Sequence, residues 1–222
     1  MDGVIHVEAY YPAGVQYIIT TGGSHYIGSI NETTVLKYPH SKDDSFALDV
    51  ERKIFEQLGK NNRIIEFKGM HENGLLLEYA SNGSLESYVQ KADTTEEQKM
   101  RFARETAEGV AYDHGKNIII CDINVRNILL DAELHVKLYS ASVKTDIFAL
   151  GSTIYHIVTG HRPFPELDTI DDEAEFLHRY KDGRFPPLEA ELGGKVIRKC
   201  WEGGYNSATE IVDDLVSLEA RL

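Results

Sequence analysis

Cysteine is nearly absent: Cys121 and Cys200 are the only two among 222 residues, far apart and without CxxC or Cys/His ligand spacing. That excludes a disulfide framework and a cysteine-based metal site, and it makes a reducing compartment, the cytoplasm, the expected location. Long apolar runs are missing as well. The most apolar window, residues 147–159, is broken by Gly151, Ser152 and His156 and is too short to span a bilayer. The opening Met1-Asp2-Gly3 lacks the basic start and apolar core of a secretory signal. Positive charge is scarce: 23 Lys and Arg against 36 Asp and Glu leave a formal charge of −13. Such a balance repels phosphate backbones and anionic headgroups, so neither nucleic acid nor a membrane surface is an expected partner. Six acids fall between Glu166 and Glu175 without the alternating ligands and central glycine of a calcium loop, which reads as a solvated segment.

What is present is 42% hydrophobic and 27% charged residues, the composition of one soluble globular domain. Alternation through Val15, Tyr17 and Ile19, then Tyr26, Gly28 and Ile30, then Val35 and Lys37 predicts an antiparallel meander, with turns at Gly22-Gly23-Ser24 and Asn31-Glu32-Thr33. Helical spacing follows over 43–58. Apolar runs at 64–67 and 75–79 around Glu72-Asn73-Gly74 predict a hairpin. After Asn82-Gly83-Ser84 the chain turns helical: an amphipathic helix over 95–114, short strands at 118–120, 128–130 and 136–138, and helices at 146–158, 173–181, 194–201 and 208–222. The fold class is therefore α+β, with a small antiparallel β lobe carrying one helix (about 15–80) and a larger, mainly α lobe (81–222). Two lobes joined by a short Asn-Gly segment imply a cleft.

The run Cys121-Asp122-Ile123-Asn124-Val125-Arg126-Asn127-Ile128-Leu129-Leu130 places an Asn five positions after an Asp and before two apolar residues. Alone, it is also compatible with a plain turn between strands. Together with Val35-Leu36-Lys37, Glu51 on the next helix, Leu77-Glu78-Tyr79-Ala80 and Asp146-Ile147-Phe148-Ala149-Leu150-Gly151, it resembles the eukaryotic-type protein kinases, most closely fungal kinase-like proteins. The resemblance runs from about Tyr17 to Leu218 and implies a single bilobal kinase-like domain over 1–222.

The resemblance implies roles, because phosphoryl transfer depends on positioning and charge neutralisation. Asp122 would orient the proton of a substrate hydroxyl, and Asn127 would hold magnesium. Lys37 would contact the ATP phosphates with Glu51 as its ion-pair partner. Gly23 and Gly28 would be the outer glycines of the phosphate-covering loop, with His25 in the middle glycine's place. Ile30, Val35 and Leu129 would sandwich the base. Leu77 would be the gatekeeper, and the backbones of Glu78 and Ala80 would read the adenine edge. Asp146 would receive backbone hydrogen bonds from the catalytic loop.

The pattern breaks after Leu138. Ser140-Ala141-Ser142 occupies the place of Asp-Phe-Gly, and a neutral serine cannot supply the anionic oxygen that chelates magnesium. Only 24 positions separate Asp122 from Asp146, about half of what the family uses, so the activation segment is missing between 138 and 146. Asn124 also replaces the lysine that neutralises the transferring phosphate. The expected function is a kinase-like domain, ancestrally transferring phosphate from ATP to Ser or Thr hydroxyls and impaired in this chain. Two alternatives stand beside it: a pseudokinase scaffold with weak or no nucleotide binding, and a shortened form of an active kinase. The residues do not specify a protein partner or substrate.

Overall fold

A computed structural model describes residues 10–22, 24–40, 46–91, 94–116, 118, 123–139, 146–168, 172, 175, 178–180, 182–188 and 193–221. The chain forms two compact units. One comprises the chain up to Asn61 together with Ile65–Tyr79, and the other comprises Asn62–Ile64 with Ala80 onward. The architecture is α+β.

The N-terminal unit is a five-stranded sheet in the order β1-β2-β3-β5-β4, every neighbouring pair antiparallel. Its strands are β1 (Tyr17–Thr21), β2 (His25–Asn31), β3 (Thr34–Pro39), β4 (Phe67–His71) and β5 (Gly74–Glu78), and helix α1 (Phe46–Leu58) lies between β3 and β4 in the chain. Glu32 and Thr33 form the turn between β2 and β3. It is tied down by Asn31, whose Oδ1 accepts from Thr33 N at 3.0 Å and from Thr33 Oγ1 at 3.2 Å. Cross-strand partners share a face of the sheet, so the pairs Ile27–Lys37 and Ser29–Val35 lie on one side and Tyr26–Tyr38 and Gly28–Leu36 on the other. The second face buries Tyr26, Leu36 and Tyr38 under Tyr10, Val15, Ile18, Ile30 and Leu76. Helix α1 packs on the first face at β4 and β5, where Phe55 stacks on Phe67 with ring centroids 5.9 Å apart.

The second hairpin begins later than its apolar pattern predicts. Ile64 and Ile65 are buried but are not part of β4. Ile64 instead bridges Leu138, and Arg63 O accepts from Leu138 N at 2.7 Å, so this short stretch belongs to the C-terminal unit. Arg63 is held there by Glu105, 1% exposed, at 3.2 Å and by Glu108 at 2.7 Å. Glu105 also accepts from Val136 N at 2.8 Å, which satisfies a carboxylate that burial alone would make costly.

The C-terminal unit contains α2 (Leu85–Lys91), α3 (Glu96–Gly115), the hairpin β6 (Ile128–Leu130) and β7 (Val136–Leu138), α4 (Asp146–Thr159), α5 (Gly194–Trp201) and α6 (Ala208–Glu219). Thr95 and Gln98 close a capping box at the start of α3, and Ser207 caps α6. Helix α3 packs against α4, α6 and β7 and provides the buried centre, with Met100, Phe102, Ala103, Ala107 and Val110. Ile118 is described outside any strand, while most of the helix expected at 173–181 and the rest of the strand expected at 118–120 lie outside the described residues. No described helix is long and apolar enough to cross a membrane.

At Gly74 the sheet leaves no room for a side chain, because an added Cβ would sit 2.0 Å from the carbonyl oxygen of Lys37. Gly74→Ala is expected to force β3 and β5 apart and to cost about 1–3 kcal/mol. Thermal unfolding checks this, and an unchanged Tm would show that the strands part freely.

Candidate functional site

The sheet face described above carries the candidate site residues of the N-terminal unit. Lys37 Nζ donates to both carboxylate oxygens of Glu51, at 2.7 and 2.8 Å, with side chains 11% and 14% exposed. The strand fixes the lysine, and α1 brings the glutamate onto the same face. Burial pushes the Lys37 ammonium below the ordinary lysine range, and the Glu51 carboxylate opposes that shift.

Val35 and Leu77 pair across β3 and β5 on the Lys37 face, and Leu75 pairs with Lys37 itself. Glu78 continues β5: its N donates to Glu66 O at 2.9 Å, and its carboxylate accepts from Glu66 N at 3.1 Å.

Two of the expected contacts are not on this face. Gly28 pairs with Leu36 and Ile30 packs with Tyr38, Val15 and Leu76 on the opposite side. The two-residue turn pairs Asn31 with Thr34, which by itself would set Ile30 across from Val35 and Gly28 across from Lys37; a bulge between Ser29 and Asn31 shifts the register by one residue and exchanges the faces. Gly28 is a packing glycine, since an added Cβ would come within 2.6 Å of Val15 Cγ1 and 3.2 Å of the Tyr38 ring. Ile27 and Ser29 occupy the Lys37 face in their stead, and counting back from the turn would not have found them, because the bulge changes the parity.

In the C-terminal unit the loop before β6 is shaped by local hydrogen bonds. Asn124 Oδ1 accepts from Arg126 N at 3.0 Å, and Asn124 O accepts from Asn127 N at 3.0 Å. Thr153 of α4 donates to Ile123 O at 2.8 Å, and Glu86 N of α2 donates to Val125 O at 3.0 Å. These bonds hold Asn127 at the entry to β6, in which Leu129 pairs with Lys137. Ala80 O accepts from Gly83 N at 3.1 Å in the turn before α2. Gly23, Asp122 and Ser140 lie outside the described residues, as does the side chain of Asp146. Among the described residues no cluster of three or more His, Cys, Asp or Glu could hold a metal ion. A cavity of about 740 Å³ elsewhere in this unit, walled by Tyr155, Val158, Phe164, Phe185 and Ile197, contains none of the expected site residues.

Residues 31–140 match the family model for protein tyrosine and serine/threonine kinases. Fer-related kinase 1 of Caenorhabditis elegans is 28% identical over 173 residues, which cover 60% of this chain and 43% of that protein. The serine/threonine-protein kinase STE11 of Saccharomyces cerevisiae is 26% identical over 210 residues, 75% of this chain and 29% of that protein. Receptor-interacting serine/threonine-protein kinase 1 of Homo sapiens is 35% identical over 111 residues, 47% of this chain and 16% of that protein. The chain thus spans less than half the length of each.

Removing Lys37 strands the Glu51 carboxylate in a nearly buried setting. Lys37→Met is expected to destabilise the protein by roughly 2–3 kcal/mol, whereas Lys37→Met with Glu51→Leu recovers most of that loss. Urea unfolding of the wild type, both single variants and the double variant gives the coupling, and additive effects would rule the pair out as an energetic unit.

Proposed function

Residues 31–140 belong to the eukaryotic-type protein kinase family, and from that premise we propose that this chain is a kinase-like nucleotide-binding domain with impaired phosphoryl transfer. The observation that carries the reading is the Lys37–Glu51 pair, a nearly buried cation held by the Glu51 carboxylate. Such a cation suits the phosphates of ATP, with Val35 and Leu77 as apolar surface for the base and the backbones of Glu78 and Ala80 as its hydrogen-bonding edge. By resemblance alone, Leu129 and Asn127 are proposed as nucleotide-site residues carried by the C-terminal unit.

The donor set fits magnesium poorly. Asn127 offers a neutral amide oxygen, Ser140 stands where an anionic ligand is needed, and hard divalent cations favour carboxylates. No step is therefore assigned to the metal. Asp122 would still orient a substrate hydroxyl, but without a second anionic ligand, and with Asn124 in place of a lysine, the charge of the transferring group goes largely uncompensated. Each such loss costs about 10²–10³ in rate. We include in this proposal a single domain over 1–222 without an activation segment between 138 and 146, and the cytoplasm as its compartment.

Differential scanning fluorimetry with ATP, with and without magnesium, tests the reading. ATP is expected to raise Tm equally in both conditions, and Lys37→Ala is expected to reduce the shift. No ATP-induced shift would overturn nucleotide binding. In a phosphate-incorporation assay, transfer at an ordinary kinase rate, abolished by Asp122→Asn, would overturn impairment.

A further inference from the structure

We infer that the cavity of the C-terminal unit is a binding site for a neutral, flat aromatic molecule whose carbonyl oxygen is held by Arg179. The cavity contains no residue of the proposed nucleotide site, so its occupation goes beyond that reading and does not depend on it. Two features carry it: a preformed apolar space far larger than a packing defect, and a wall group with hydrogen bonds left to give.

The space measures about 740 Å³, whereas close-packed interiors leave few voids larger than a water molecule. Ligand pockets span about 300–1,000 Å³ and are walled chiefly by apolar and aromatic side chains. Here α4 supplies Tyr155 and Val158, the chain beyond it Phe164, and α5 Ile197, with Phe185 and Pro186 completing the wall. Contacts behind the wall fix its shape. Phe185 stacks on Trp201 with ring centroids 5.5 Å apart, and the Tyr180 ring packs edge-on against Phe164 at 5.4 Å and Trp201 at 5.5 Å. The buried Pro186 and its neighbour Pro187 stiffen the backbone beside Phe185. Rings held in this way resist collapse into the space, and a preformed site lowers the ordering cost of binding.

Arg179, which also lines the cavity, selects the chemistry. Its Nε donates to Glu175 at 2.8 Å and its Nη1 to Glu166, and its guanidinium lies over the Phe164 ring, 4.8 Å from the centroid. These contacts fix the plane of the group, while among the described residues its Nη2 makes no hydrogen bond. Glu166 and Glu175 already compensate its charge, so an anionic ligand gains little there, and a cation would meet the guanidinium itself. A neutral carbonyl oxygen is the partner that Nη2 lacks, since a guanidinium only donates. Thr159, another polar group of the wall, donates its hydroxyl to Tyr155 O at 2.8 Å and does not compete.

Trp201 is the chain's only tryptophan and stacks on Phe185 of the wall, so its fluorescence reports what fills the space. Titration of the full chain with prodan, a neutral naphthalene ketone, is expected to give saturable energy transfer from Trp201 at one probe per chain. Arg179→Met is expected to weaken prodan by about 3- to 10-fold, the worth of one hydrogen bond, and to shift its bound emission to the blue as the carbonyl loses its donor. Val158→Phe, which places a ring in the space, is expected to abolish the transfer with the Tm retained. The anionic probe anilinonaphthalene sulfonate is expected to bind more weakly than prodan, and saturating ATP is expected to leave prodan in place. No saturable transfer, unchanged prodan affinity in Arg179→Met or in a folded Val158→Phe, tighter binding of the sulfonate, or displacement by ATP would overturn the inference. So would Trp201 emission that changes with protein concentration alone, because a second copy of the chain would then fill the cavity.

Discussion

The two-residue turn between β2 and β3 is the constraint on which the N-terminal unit depends. Asn31 Oδ1 holds Thr33 by its N–H and its hydroxyl, and Thr33 O in turn accepts from Tyr79 N at 2.9 Å. The turn is thus tied to both β2 and the end of β5, and a bulge between Ser29 and Asn31 then shifts the strand pairing by one residue. Because side chains alternate every residue, that single register decides which residues of β2 stand beside Lys37 and which are buried with Tyr38. The outer face then needs a residue without a side chain at Gly28, where Val15 and the Tyr38 ring close in. A glycine that looks like part of a phosphate loop is explained by packing.

Electrostatics on the inner face follow from the same placement. Lys37 is held on a strand whose neighbour, β5, approaches closely enough at Gly74 to exclude even a methyl group. The ammonium cannot relax into water without losing Glu51, and burial and the carboxylate act on it in opposite senses. This balance makes the pair a poor source of net stability. The Arg63–Glu105 contact works differently. There a buried carboxylate is satisfied by a guanidinium, a backbone N–H and His135, and the result is an anchor for a three-residue segment.

Much of the architecture was legible in the residues. The helical patterns at 95–114, 146–158, 194–201 and 208–222 all correspond to helices, because local hydrogen bonding and one buried stripe decide them. The start of β4 was not legible. Ile64 and Ile65 have the composition of a strand, but β7 claims the backbone at Arg63 and Ile64, and periodicity does not report which partner a buried apolar residue finds. The pairing of Lys37 with Glu51 was legible through the family resemblance. Gly28 and Ile30 were misplaced because the bulge between Ser29 and Asn31 reverses the faces that the turn alone would give, and local spacing does not report it.

The sequence alone determined an acidic, cysteine-poor α+β chain with kinase-type motifs, a neutral serine where a metal-binding carboxylate would stand, and a short interval between Asp122 and Asp146. These are properties of composition and order along the chain. Tertiary structure decided that Lys37 meets Glu51 in a nearly buried pair and that Ser29 and Ile27 share its face. It also decided that residues 62–64 join the unit that follows them. The physical reason is that facing and pairing depend on register and on competition between distant backbone groups, and neither is encoded in local spacing.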